Sequence, residues 1–193
     1  MTGKVLILGG SGRFGRNAAE AFWDAGWRVA LFDRAKDDLL QAVQGMDVIV
    51  NGWNPAYTDW ATQVPRLTEQ VIAAARASGA TVIVPGNVYV FGKEAPEGFG
   101  PDVAHAARNP LGRVRIEMEQ RLRDADIPVI LLRAGDFLDT TASGNWFDLQ
   151  MAPPLKKGVL IYPGNPEVPH AWAFLPDMAR AAVALAERRE SLP

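Results

Sequence analysis

The chain has 193 residues, 22 acidic against 20 basic side chains, 48% apolar residues and no cysteine. That length suits a single core, since domains usually run to roughly 100–200 residues, and residues 1–193 read as one domain. Balanced charge excludes an electrostatic grip on nucleic acid, and the lack of cysteine excludes disulfides, thiol nucleophiles and thiolate zinc sites; His105 and His170, isolated in the sequence, make no metal set.

The apolar start Val5–Leu8 is too short for a signal peptide or a membrane span, and no later run approaches ~18 apolar residues. A cytoplasmic protein without membrane contact is expected. Along the chain, short apolar runs alternate with longer amphipathic stretches. This is the pattern of strands buried on both faces between crossover helices. The candidate strands are 4–8, 28–32, 47–51, 81–85 and 128–132, with a sixth at 159–162. A helix is expected over 13–25, stopped by Gly26, and another over 60–78, interrupted by Pro65 and stopped by Gly79. A third begins at Asn109–Pro110, a cap followed by a first-turn proline, and runs to 125. Segments 92–109 and 134–158 hold most of the remaining Gly, Pro and polar residues and read as long loops at one end of the sheet, where function tends to gather. The expected fold is α/β: a Rossmann-like, doubly wound, mostly parallel sheet flanked by helices.

The turn GGSGRFGR, residues 9–16, follows the first strand and opens the first helix. Its glycines fit G-x-G-x-x-G at Gly10, Gly12 and Gly15, or G-x-x-G-x-x-G at Gly9, Gly12 and Gly15. Glycine there permits the tight turn, lets backbone approach a pyrophosphate and lets helix pack on strand, while the free N–H groups of the helix start meet the negative charge. Backbone contacts from Ser11, Arg13 and Phe14 belong to the same cradle. Asp33 ends the second strand about 20 residues downstream, where a carboxylate accepts hydrogen bonds from the adenosine ribose. The alternative is a glycine turn that only packs a helix, with Asp33 a solvated acid. A nucleoside triphosphate is disfavoured, because the Lys-Ser/Thr of a Walker loop is missing. Arg34, next to Asp33, leaves NAD and NADP both open: the acid repels a 2′-phosphate, whereas the guanidinium either pairs with one or lies over the adenine, and NAD is weakly favoured.

With Gly9, Gly12 and Gly15 so placed, and with DVIVNGWNP (47–55) after a third strand, the sequence resembles the short-chain dehydrogenase/reductase superfamily, above all its extended and atypical branch of NAD-dependent epimerases and dehydratases. VPGNVYVFG (84–92) is similar to that branch's fourth-strand motif, LLRAGDF (131–137) to the fifth-strand end over the nicotinamide, and HAWAFLPDMARA (170–181) to a late segment where an aspartate opens a helix. The resemblance implies an NAD or NADP cofactor held by the glycine turn, Asp33, Arg34, Asn51, Gly52, Trp53, Pro85, Gly86 and Ala134. Extended relatives continue into a substrate-binding lobe; here the text stops at Pro193 after one more helix, so that lobe is expected to be reduced or absent, in a naturally compact or a truncated chain.

The spelling Tyr89-x-x-x-Lys93 matches that superfamily's acid/base dyad. The dyad, however, needs both side chains on one helical face, whereas an extended segment of four residues spans roughly 13 Å. Val90-Phe91-Gly92 takes the place of the branch's Val-Tyr-Gly, which puts Tyr89 on a strand exit and Lys93 in solvent. The dyad's own position falls near Pro110, where Leu111 and Arg115 stand for tyrosine and lysine. Leucine donates no proton. The resemblance then implies Tyr89, at a position where dehydratase-like members carry an acid, or Asp136, at the loop over the nicotinamide, for the proton role, Asn87, in place of a hydroxyl residue, for polarising a carbonyl through its amide, and Arg115 for holding the ribose; the alternatives are a pocket wall or core packing for Tyr89 and a turn or cap for Asp136. Trp53, Asn54, Tyr57 and Trp60 either line a cleft or anchor packing, the second being favoured; His170 and Trp172 read as a loop contact or strand pairing, and Asp177 as a helix cap. Two functions follow. One is an enzyme moving a hydride to or from a hydroxyl or carbonyl carbon of a small, sugar-like substrate. The other is a non-catalytic dinucleotide-binding sensor or regulator. The resemblance also implies that the helices 60–78 and 110–125 can form the face of a homodimer.

Overall fold

A computed structural model of the chain describes residues 3–192 except 94, 97 and 99. Strands β1 (Lys4–Leu8), β2 (Arg28–Phe32), β3 (Val48–Asn51), β4 (Thr81–Gly86) and β5 (Val129–Arg133) form one parallel sheet in the order β2-β1-β3-β4-β5. Helices α1 (Arg13–Asp24), α2 (Leu39–Ala42), α3 (Trp60–Ser78), α4 (Pro110–Asp124) and α5 (Leu175–Glu187) connect and flank it. This is the Rossmann-like α/β architecture expected from the sequence.

The strands are apolar throughout because both faces are covered. Leu6, Leu8, Ile49, Val82 and Val84 turn to α3 and α4, meeting Trp60, Val71, Met118 and Leu122. Their neighbours Val5, Ile7, Val48, Val50 and Ile83 turn to α1 and α5, meeting Phe22, Leu175 and Met178. Alternation along each strand thus feeds two cores, one per face.

Helix ends follow the local chemistry. Gly79, with φ 72°, closes α3 by donating its N–H to Ala75 O at 2.8 Å. Asn109 caps α4 by accepting from the Gly112 N–H at 2.7 Å. Pro65 does not interrupt α3: the proline costs the helix one donor near its start, and burial of Trp60, Val64, Leu67 and Val71 carries the element across it.

Three further expectations are corrected. Residues 159–162 form no strand; Val159, Leu160 and Ile161 are 48–52% exposed. They follow Gly158, whose left-handed φ of 73° ends a 3-10 turn at Pro153–Lys157. Segment 134–158 is more than a loop, since it contains β6 (Asp136–Leu138), which pairs in parallel with β7 (Trp172–Phe174) as a separate two-stranded sheet. Asp177 is not the cap of α5. That position is Phe174, and Asp177 sits in the first turn paired with Arg180, its charge still favourable beside the helix dipole.

Candidate functional site

The chain goes from β1 to the sheet edge at β2 and returns to the other side of β1 for β3, so the connections leaving β1 and β3 part in opposite directions. Such a switch point opens a crevice at the carboxyl ends of the strands. Leu8 pairs with Asn51, so Gly9 and Gly52 leave the sheet side by side, with Gly52 N–H donating to Leu8 O at 2.9 Å. Both must be small: a Cβ on Gly9 would lie 2.9 Å from Gly52 O, and one on Gly52 would lie 2.6 Å from Leu8 O. Gly12 N–H closes the turn on Gly9 O at 2.8 Å, and a Cβ on Gly15 would overlap that same carbonyl. Gly10 lies under the Leu31 side chain. Helix α1 starts from Gly12 with no side-chain cap, leaving its first-turn amides facing the turn.

Against the turn that leads into α1 lies a cleft of about 310 Å³, bounded by Gly9, Ser11, Gly12, Arg34, Gly52 and Trp53 on one side and by Asn54 and the start of α3 on the other. Arg34 holds its guanidinium 5.7 Å from the Trp53 ring centre, and Trp53 meets Phe32 edge-on at 5.8 Å. Asp33 is exposed; it accepts from Ala35 N–H at 3.0 Å and pairs with Lys36 at 3.0 Å. The Ala35 N–H and then Lys36 hold its carboxyl below the usual range. Asn51 turns its side-chain oxygen to the Trp53 N–H at 3.3 Å. Phe14 is buried in the core, so only its backbone faces the turn. Arg13 points away from the cleft and donates to the carbonyls of Ser143 and Gly144.

That contact belongs to a strap that the sequence did not suggest. Asp139, its side chain fully buried, accepts from Arg16 at 2.8 Å, and Asn17 reaches it at 3.4 Å. Asp148 gathers the N–H groups of Ser143, Gly144 and Asn145 at 2.8, 2.9 and 3.2 Å. Segment 139–148 is thereby fastened across the start of α1.

At the end of β4, Pro85 and Gly86 run alongside Leu132 and Arg133, and Ala134 N–H donates to Gly86 O at 3.1 Å. Asn87 uses its side-chain oxygen to accept from Tyr89 N–H at 3.0 Å, leaving its amide donors for another partner. Tyr89 opens a 3-10 turn, Tyr89–Phe91, and Lys93 is exposed beyond it, so the two side chains share no helical face. The Tyr89 hydroxyl lies 3.1 Å from that of Tyr57, and its ring stacks with Tyr57 and tilts against Trp60. Burial, and then the Tyr57 hydrogen bond, raise the Tyr89 pKa well above that of an ordinary phenol.

Arg115 is nearly buried. Its guanidinium lies 3.9 Å from the Trp60 ring centre and donates to Asn54 Oδ1 at 2.7 Å, and burial pushes its pKa down to about 10. Leu111, one turn earlier, packs on the core. Trp60 is a packing anchor, Trp53 and Asn54 line the cleft, and Tyr57 is exposed beside Tyr89.

A buried ion cluster props up this end of the sheet. Glu119, on α4 and fully buried, takes two hydrogen bonds from Arg133 at 2.9 Å each and lies 3.3 Å from His105 Nε2. Arg133 also donates to Asn87 O at 2.6 Å, fixing the exit that carries Tyr89. Asp136, two residues past Ala134, bonds His170 Nε2 at 2.8 Å, and its charge is felt at Tyr89. Partners this far apart in sequence have no shared spacing by which they could have been foreseen.

No protein-family model matches the sequence, and no curated protein is detectably similar to it. Solved structures do match in fold. A UDP-glucuronic acid 4-epimerase from Bacillus cereus, solved with NAD and a fluorinated UDP-sugar, aligns with a TM-score of 0.80 at 16% identity over 95% of this chain and 73% of its own. A UDP-N-acetylglucosamine 4-epimerase from Methanobrevibacter ruminantium aligns with a TM-score of 0.76 at 14% identity, covering 96% and 73%. An NAD-dependent NDP-hexosamine 5,6-dehydratase of tunicamycin biosynthesis gives 0.73 at 17%, covering 95% and 72%. The chain thus shares the fold of NAD-dependent sugar-nucleotide epimerases and dehydratases.

Proposed function

We propose that this protein binds NAD(P), NAD by preference, at the β1–β3 crevice and acts as an epimerase-, dehydratase- or reductase-like enzyme on a hydroxyl or carbonyl carbon of a sugar-like substrate. The observation that carries the reading is the glycine cradle. Gly9, Gly15 and Gly52 are packed so closely that only glycine fits, and the turn at residues 9–12, from which α1 starts without a side-chain cap, lines a cleft. Uncapped amides at a helix start are suited to a diphosphate. Asp33, ionised at neutral pH, would accept from ribose hydroxyls, while Arg34 and Trp53 would flank the base. The three structural neighbours named above are described as NAD-bound, as acting on UDP-sugars, or as an NAD-dependent hexosamine dehydratase, which favours NAD and a sugar nucleotide. When bound, the nicotinamide supplies two-electron redox chemistry. Asn87 would offer its free amide donors to a substrate oxygen.

A second reading, a non-catalytic dinucleotide-binding sensor, is favoured by one arrangement: Leu111 and the nearly buried Arg115 stand where a tyrosine and a lysine would move the proton. The two are separated by incubating the protein with NAD and a panel of UDP-hexoses and UDP-hexuronates, followed by proton NMR of the anomeric signals. Conversion supports the enzyme. Saturable cofactor binding without conversion of any sugar supports the sensor, and no binding removes both.

A further inference from the structure

Tyr89 is poorly suited to carry a proton, since its hydroxyl is engaged by Tyr57 and its pKa is displaced upward. Efficient acid/base groups titrate near the working pH. The same end of the sheet holds a second constellation, in which Asp136 meets the segment that carries Tyr162, His170 and Trp172. His170 Nε2 lies 2.8 Å from Asp136 Oδ2, and His170 Nδ1 lies 2.8 Å from the Tyr162 hydroxyl. The imidazole is stacked flat on Trp172, with ring centres 4.2 Å apart and planes at 16°, and Trp146 closes in at 5.4 Å. Asp136 N–H donates to Ala171 O at 3.0 Å, and Gly135 lets this approach happen, because a Cβ there would collide with that carbonyl.

The order of these groups has a chemical meaning. A carboxylate on Nε2 selects the tautomer that carries its hydrogen there, which leaves Nδ1 free to accept the Tyr162 proton. An imidazole oriented by an acid and bonded to a hydroxyl is the generic layout of a side chain activated for proton exchange. Tyr162, His170 and Trp172 line a pocket of about 400 Å³, with Glu167 as its other ionisable wall. The pocket can therefore present a ligand oxygen to the phenol.

We propose that Tyr162, His170 and Asp136 form a proton relay serving a hydroxyl- or carbonyl-bearing ligand in this pocket. Tyr162 touches the ligand; His170 and Asp136 act through it. In the forward direction the ligand O–H bond breaks and its proton bonds to the Tyr162 oxygen, while the Tyr162 proton passes to His170 Nδ1. The net result is one imidazolium, facing the Asp136 carboxylate, and one ligand oxygen bearing the negative charge. The reverse sequence protonates an alkoxide. The relay rests on the function proposed above only for what happens at the ligand carbon.

Two measurements test it. With just two histidines in the chain, two-bond proton–nitrogen spectra of histidine-labelled protein resolve His170 from His105. The relay requires neutral His170 with hydrogen on Nε2, and in Asp136→Leu that tautomer should lose its dominance; hydrogen on Nδ1 in the wild type overturns the relay without any assay of activity. For Tyr162→Phe, turnover of a converted substrate should fall at least about 10²-fold, with NADH affinity kept within twofold. Unchanged turnover overturns the relay while leaving the proposed function standing. Loss of NADH binding in the wild type would instead sink the proposed function, and the tautomer result would still decide the relay.

Discussion

Replacing Glu119 by Gln keeps the side chain's shape and removes its charge, and it should be costly. The carboxylate is fully buried and accepts two Arg133 hydrogen bonds at 2.9 Å, with His105 at 3.3 Å. A glutamine has one oxygen: placed at the Oε2 position it still accepts from Arg133 Nη2 and His105 Nε2 but turns its NH2 group on Arg133 Nη1, and placed the other way it fails both Arg133 Nη2 and His105. Hydrogen bonds to charged groups are worth about 1.5–3 kcal/mol each, and breaking a buried ion pair costs about 3–5 kcal/mol. Arg133 retains 23% side-chain exposure, which lets water relieve part of the loss. The expected destabilisation is about 3 kcal/mol, which for a domain of this size lowers Tm by about 6–12 °C. Urea titration and thermal melting of Glu119→Gln measure it, and a double-mutant cycle with Arg133→Met isolates the pair. A loss under about 1 kcal/mol, or coupling near zero, would refute the view that this cluster holds the β4 exit and Tyr89 in place.

Gly15→Ala, whose Cβ would overlap the Gly9 carbonyl, should cost about 2 kcal/mol or more and weaken NADH binding together with stability, because only backbone movement can relieve the clash. His105 adds a pH dependence: burial first, and Arg123 and Arg133 besides, outweigh the pull of Glu119 and lower its pKa below 6.5. Since the unfolded chain then takes up the proton more readily, the stability it contributes is fully present above pH 6.5 and is lost as pH falls from there toward the depressed value. The urea midpoint should drop over that window, and His105→Gln should flatten the drop. Tyr57→Phe removes the hydrogen bond that helps to raise Tyr89, so phenolate absorbance from Tyr89 should emerge at lower pH than in the wild type. An unmoved titration would show that the Tyr57 hydrogen bond plays no part in it.

The sheet was legible because its signals are local. Apolar runs of five or so residues, a glycine turn, a proline after Asn109 and left-handed glycines at 26 and 79 each act within a few positions. The cradle was legible for the same reason, since Gly9, Gly12 and Gly15 lie in one turn. Failures had long-range causes. The apolar residues 159–161 have a strand's composition, but no described strand edge takes them up, and the short strands β6 and β7 exist only because the chain returns after 36 positions to pair Asp136 with Trp172, bonding it also to His170. Glu119, buried without any apolar character, is explained only by Arg133 and His105 arriving from other elements. Tyr89-x-x-x-Lys93 has the right spelling on the wrong backbone. Periodicity reports which face a residue takes, and says nothing of the partner it finds there.

The central claim is that the glycine cradle binds a nicotinamide dinucleotide, and a fluorescence titration with NADH tests it most directly. Saturable enhancement of NADH emission, with quenching of tryptophan as Trp53 is covered, is predicted for the wild type. Both should vanish in Gly12→Asp, which places a carboxylate against the turn where the diphosphate would lie. Absence of saturable binding by the wild type, or undiminished binding by Gly12→Asp, would contradict the account.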